Sequence, residues 1–164
     1  MSTAPFLTLV SEVLPVQRRD FYLANPALLN PNNANPLLDG EWLQLDANYK
    51  IGRGADGSGT HEAIVPSWQL FAERGRYDTQ AIGKAPVLFT GGYEAESKIV
   101  DLTGATVGLP LVVQDITFQS IAGRRGLKVL GAGTGEHLIF GFVTRVFSDR
   151  LRYWCPNSPS RWTV

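Results

Sequence analysis

The chain has 164 residues, and Lys plus Arg equals Asp plus Glu at 15 each, so its formal net charge is zero. That length suits one domain with a sizeable core, and neutrality argues against a nucleic-acid partner, whose phosphates favour a basic excess. Apolar residues make up 44% and charged residues 18%, a balance that fits a globular protein and does little to keep copies apart.

Residues 1–40 predict an extended, irregular N-terminal arm. Within it, Thr8 to Val13 can form a short strand or a helical turn, and Pro15 limits any helix. The stretch NPALLNPNNANPLLDGEW follows, with Pro26, Pro31 and Pro36 each preceded by Asn. Each proline removes a backbone donor and pushes the preceding residue towards extended or turn geometry. The Asn side chains can satisfy local turn hydrogen bonds. Leu28, Leu29, Leu37 and Leu38 are then candidate anchors on another surface, or they pack on the parent body near Trp42.

Residues 41–155 read as an all-β body. Candidate strands are Glu41 to Ile51, Gln69 to Glu73, Ala85 to Thr90, Ser97 to Leu102, Leu109 to Val113, Gly126 to Leu130, His137 to Phe147 and Leu151 to Trp154. They are short, rich in β-branched and aromatic residues and punctuated by glycine. That pattern predicts a small antiparallel β-barrel or sandwich. In LIFGFVTRV, Gly141 suggests a bend, a bulge or the close approach of another backbone. Residues 156–164 form a short tail carrying Trp162.

No motif predicts catalysis, a cofactor or a metal. GRGADG at 52–57 matches a dinucleotide fingerprint in letters, but no helical period follows it. One cysteine, Cys155, and two separated histidines, His61 and His137, argue against structural zinc. The lone cysteine excludes an intramolecular disulfide, which points to assembly inside a cell. The opening residues lack a basic region followed by a long apolar run, so no signal peptide is expected. No apolar stretch is long enough for a membrane-spanning helix. Glu94 and Glu96 would share a face if extended, where two like carboxylates could share a proton or a cation, but they read as part of a solvated loop after Gly91-Gly92.

Arg18, Arg19, Arg124, Arg125, Arg145, Arg150 and Arg152 form small groups. In a neutral chain they read as interface residues, since arginine pairs bidentately with carboxylates and stacks on aromatic rings. Trp42 and Trp154 fall in strand-like runs and predict core positions. Trp68 and Trp162 lie near prolines and are candidate interface anchors.

The order RYDTQAIGKAPVLFTGGYEAESKIVDLTG, VGLPLVV, GLKVLGAGTGEHLIFGFVTRV and LRYW, spanning roughly residues 74–154, resembles the small β-rich head decoration or cement proteins of tailed bacteriophages. The matching positions are Tyr93 to Glu96, Gly108 to Val113, Gly126-Leu127 and Gly141 to Thr144, with Phe140 standing where isoleucine is common. The resemblance implies a non-enzymatic virion protein on the capsid surface. It implies the major capsid protein as partner, and a homo-oligomer, with a trimer favoured. Other readings are a head-tail connector or tail component, or a host- or carbohydrate-binding sandwich that stacks sugars on Trp68, Trp162 and Tyr49. A small hydrolase would use His61 with Glu62, or His137 with Glu136.

Overall fold

The computed structural model describes residues 6–12, 16–30, 32–53, 62–63, 65–71, 83–132, 135–156 and 160–163, with Arg18 and residues 160–162 described as backbone. Alternation of apolar and polar residues, broken by glycine and Asn-Pro steps, makes strands the only regular elements among the described residues apart from one 3-10 turn at Pro26–Leu29. The fold is all-β.

Seven strands make the larger sheet. They are β1 (Leu7–Glu12), β7 (Tyr93–Ser97), β8 (Val100–Asp101), β9 (Pro110–Phe118), β10 (Ile121–Val129), β12 (Gly141–Val146) and β13 (Leu151–Cys155), in spatial order β1-β7-β13-β12-β9-β10-β8. The second sheet has β2 (Arg18–Tyr22), β3 (Trp42–Leu45), β4 (Ile51–Gly52), β5 (Ser67–Leu70) and β6 (Lys84–Leu88), in order β2-β6-β5-β3-β4. A two-stranded ribbon joins β11 (Glu136–Ile139) to β14 (Ser160–Thr163). Pairing is antiparallel except between β8 and β10. The sheets do not close into a barrel. Their end strands β8 and β4 span two residues each, too short to carry a closing ladder, so the sheets stack as a sandwich.

Several predicted strands divide. Glu41 to Ile51 holds both β3 and β4, because Asp46 builds a turn between them. Its Oδ1 accepts from the Asn48 amide at 2.8 Å and the Lys50 amide at 2.9 Å, and Tyr49 takes φ 59°. His137 to Phe147 splits at Phe140 into β11 and β12. Three strands were not expected: β2 inside the arm, β14 inside the tail, and β7, whose Glu94–Glu96 stretch reads as a solvated loop after Gly91-Gly92 but pairs with β1 on one side and β13 on the other.

The arm is therefore not a free segment. Thr8 to Val13 largely coincides with β1, which pairs with β7, while β2 pairs with β6. Residues 25–40 join neither sheet and lie on the second one. Asn25 Oδ1 accepts from the Ala27 amide at 3.2 Å, Asn30 Oδ1 from Asn32 at 2.9 Å, and Asn33 Oδ1 from Asn35 at 3.0 Å. These side-chain oxygens close local turns on amides two residues on, in place of a regular backbone ladder. The Leu37 amide then donates to the Leu28 carbonyl at 2.8 Å and closes the loop.

Two apolar cores result. Between the sheets, Tyr93, Ala95, Leu111, Val113, Leu127, Val143, Leu151 and Tyr153 meet Trp42 and Leu88. On the far side of the second sheet, Leu23, Leu43, Ile51, Leu70, Ala85 and Val87 are buried, and Leu29, Leu37, Phe21 and Trp68 pack over them. The Asn-Pro segment thus supplies part of a third layer. Half-burying one leucine this way is worth about 1 kcal/mol, which offsets part of the cost of ordering a segment with few regular hydrogen bonds.

A polar node crosses the first core. Gln69 Nε2 donates to the Gly40 carbonyl at 3.1 Å, and its Oε1 accepts from Tyr93 Oη at 3.3 Å and from Tyr153 Oη. Desolvation raises both tyrosines well above their usual range, and it pushes the Cys155 thiol up to about 12. The unfolded chain ionises this thiol near 9.0, before the folded chain does. The associated stability is complete below about pH 9 and declines as pH rises towards 12. Native protein is expected to resist iodoacetamide at pH 8 and to react stoichiometrically in denaturant. Labelling at equal rates in both conditions would contradict the buried, protonated thiol.

Candidate interaction surface

The outer face of the second sheet carries an aromatic cluster that its own third layer leaves half-buried. β2 register places Arg19 opposite Val87 and Phe21 opposite Ala85, so both point to the outer face. β5 places Trp68 opposite Leu43 on that face, and Phe89 follows β6. Trp68 stacks on Phe21 at 5.6 Å and on Phe89 at 5.4 Å between ring centroids, and Phe21 and Phe89 lie 6.0 Å apart. The exposed Arg19 guanidinium lies over the Phe89 ring at 4.9 Å and the Phe21 ring at 5.6 Å. Among the described residues no carboxylate pairs with it. A cation held on rings beside apolar surface combines the residue types that dominate interface energetics.

An ionic clamp holds the Asn-Pro segment behind this face. Glu41 is fully buried and accepts from Arg53 Nε at 2.6 Å, from Arg53 Nη2 at 2.9 Å and from Arg124 Nη1 at 2.5 Å. The same guanidiniums donate to the loop carbonyls. Arg53 reaches Asn35 at 3.0 Å and Pro36 at 2.9 Å, and Arg124 reaches Pro36 at 2.7 Å. The Leu38 amide donates to Glu41 Oε1 at 3.1 Å. Prolines leave carbonyls without nearby backbone donors, and arginine forks serve them.

The predicted site residues therefore separate. Leu29 and Leu37 pack on their own second sheet, on the face opposite Trp42, and Leu28 and Leu38 are half-buried. Arg19 and Trp68 meet in the aromatic cluster. The backbones of Arg18 and Trp162 pair with Leu88 and His137, and their side chains lie outside the described residues. Trp154, expected in the core, alternates outward while Tyr153 and Cys155 point in. Tyr49 is 83% exposed in the β3–β4 turn.

Several other charged groups pair within the fold. Glu96 accepts from Arg150 Nε at 2.8 Å and Arg152 Nη2 at 2.6 Å. Burial pulls its pKa up, but the two arginines outweigh that and hold it below the usual carboxylate range. Glu94 accepts from Thr144 Oγ1 at 2.7 Å, and Arg125 pairs with Asp115 directly across the β9–β10 ladder at 2.9 Å. Phe147 carries Arg150 at 4.1 Å and Arg145 at 4.8 Å from its centroid. These arginines brace strands rather than stand free for a partner.

The sequence paired His61 with Glu62, or His137 with Glu136. His61 lies outside the described residues. The fold instead brings Glu62 to His137, whose Nδ1 is 2.8 Å from Glu62 Oε1. The Ala63 amide donates to the Val113 carbonyl at 2.8 Å, which docks this segment on β9. Their separation of 75 positions hid the pair from any spacing argument. Among the described residues no group of three or more His, Cys, Asp or Glu is placed to hold a metal ion, and no helix is long and apolar enough to cross a membrane. No family model, no curated protein and no solved structure matches the chain.

Proposed function

We propose that this chain is a non-enzymatic structural protein that attaches to a larger protein assembly, with a tailed-phage head as that assembly and the major capsid protein as its partner. The Arg19–Phe21–Trp68–Phe89 cluster carries the reading, because it leaves stacked rings and an unpaired cation on a sheet face. The motif resemblance around Tyr93 to Glu96 and Gly141 to Thr144 supplies the identity of the assembly. A sandwich braced by an internal clamp is a rigid platform, which lowers the ordering cost of attachment. Neutral net charge suits close packing of copies on a shell, and a homo-oligomer, favoured as a trimer, belongs to the same proposal.

The test mixes purified chain with phage heads lacking it and measures co-sedimentation. Trp68→Ala and Arg19→Glu are expected to weaken attachment at least about tenfold, as buried aromatic and arginine anchors do. Unchanged binding by both folded variants would remove this surface from the account. Glycan binding by the isolated chain, abolished by Trp68→Ala, would replace the shell by a carbohydrate.

A further inference from the structure

A second feature lies between the Asn-Pro loop and the β3–β4 hairpin. There a cavity of about 450 Å³ opens, walled by Leu23, Leu28, Leu45 and Ile51 and reached by Arg53. Its size falls within the range of small-molecule sites, and its apolar walls with one placed cation follow their usual chemistry. The clamp behind it is not electrically balanced. Glu41 is one carboxylate facing two guanidiniums, and the side chains of Glu41, Arg53 and Arg124 are 0%, 13% and 2% exposed. Among the described residues neither arginine has another carboxylate partner. A net positive charge among the described residues is thus held in a poorly solvated place, where an uncompensated charge is costly.

Arg53 is the member that faces the cavity. Its four bonds to Glu41, Asn35 and Pro36 leave one N–H on Nη1, since a guanidinium has five. The other ionised residue of the wall, Asp46, is engaged within its own turn by the amides of Asn48 and Lys50. We infer that this cavity binds a small amphipathic carboxylate, with its aliphatic chain against Leu23, Leu28, Leu45 and Ile51 and its anionic head on Arg53. The head supplies the missing countercharge, and the chain replaces water on apolar walls. The site is separate from the aromatic cluster and does not require the attachment reading.

Octanoate and octanol, titrated into the full chain and followed by amide chemical shifts, test this. Octanoate is expected to bind at least about tenfold more tightly than octanol, the margin of one charge-assisted hydrogen bond. Its shifts should centre on Leu23, Leu45, Ile51 and Arg53. Leu28→Trp, which fills the cavity and removes no charged group of the clamp, should abolish the response. Equal binding of the two probes would overturn the carboxylate assignment. Shifts centred elsewhere, full binding by folded Leu28→Trp, or no octanoate response at millimolar concentration would overturn the site.

Discussion

Replacing Glu41 by leucine is expected to cost about 3–5 kcal/mol of folding stability, the scale for removing one partner of a buried ion pair. The loss has two parts. Arg53 and Arg124 are left facing each other without their shared carboxylate, and the Leu38 amide loses its acceptor. Adding Arg124→Met should recover part of that loss, since it removes one stranded charge. Lys128 and Asp101 give the contrast, an ion pair of 3.2 Å with both side chains substantially exposed. Lys128→Met should cost less than about 1 kcal/mol. Urea unfolding followed by tryptophan fluorescence reads all three. A loss below about 1 kcal/mol in Glu41→Leu would show that the clamp does not hold the third layer.

Gly126→Ala is the second large effect. A Cβ there would stand 2.4 Å from Ile116 Cδ1 and 2.6 Å from the Ile99 carbonyl oxygen. The isoleucine could rotate, but the carbonyl accepts from the Leu127 amide at 3.1 Å and belongs to the backbone. Strand β10 must therefore shift away from the Ile99 turn. The cost is expected at or above the upper end of about 1–3 kcal/mol for overpacking. Gly131→Ala is the control, because nothing lies within 4 Å of its added Cβ, and it should be close to neutral. Equal midpoints for the two variants in thermal unfolding would contradict the close approach. The Gly141 expectation has the same basis, with the Trp154 carbonyl 2.7 Å from a would-be Cβ.

Local chemistry was the legible part of this chain. Val-, Ile- and Phe-rich runs such as Ala85 to Thr90 and Leu109 to Val113 read directly as strands and overlap β6 and β9, whereas Glu94 and Glu96 made β7 read as a solvated loop until its two neighbours paired with it. The side-chain turns of Asn25 and Asn30 follow from their Asn-Pro steps, and Asn33 makes the same turn ahead of Ala34. What escaped was long-range. β2 reads RRDFY, whose charges hid an edge strand until pairing with β6 gave it a partner. Glu41 and Arg124 lie 83 positions apart, so no window includes both. The aromatic cluster gathers Phe21, Trp68 and Phe89 from three separate segments. Single-residue reasoning singled out Trp68 and Arg19, but not the two rings that hold them. The leucines of the Asn-Pro stretch were readable as apolar anchors, and the fold packs Leu29 and Leu37 on the chain's own second sheet.

The central claim is attachment through the outer face of the second sheet, and cryo-electron microscopy of tailed-phage heads decorated with the chain tests it most directly. The account predicts density for the sandwich on the head surface, with Arg19, Phe21, Trp68 and Phe89 turned towards capsid protein. Density confined to the tail or its vertex, or a chain on the head with that face open to solvent, would contradict it.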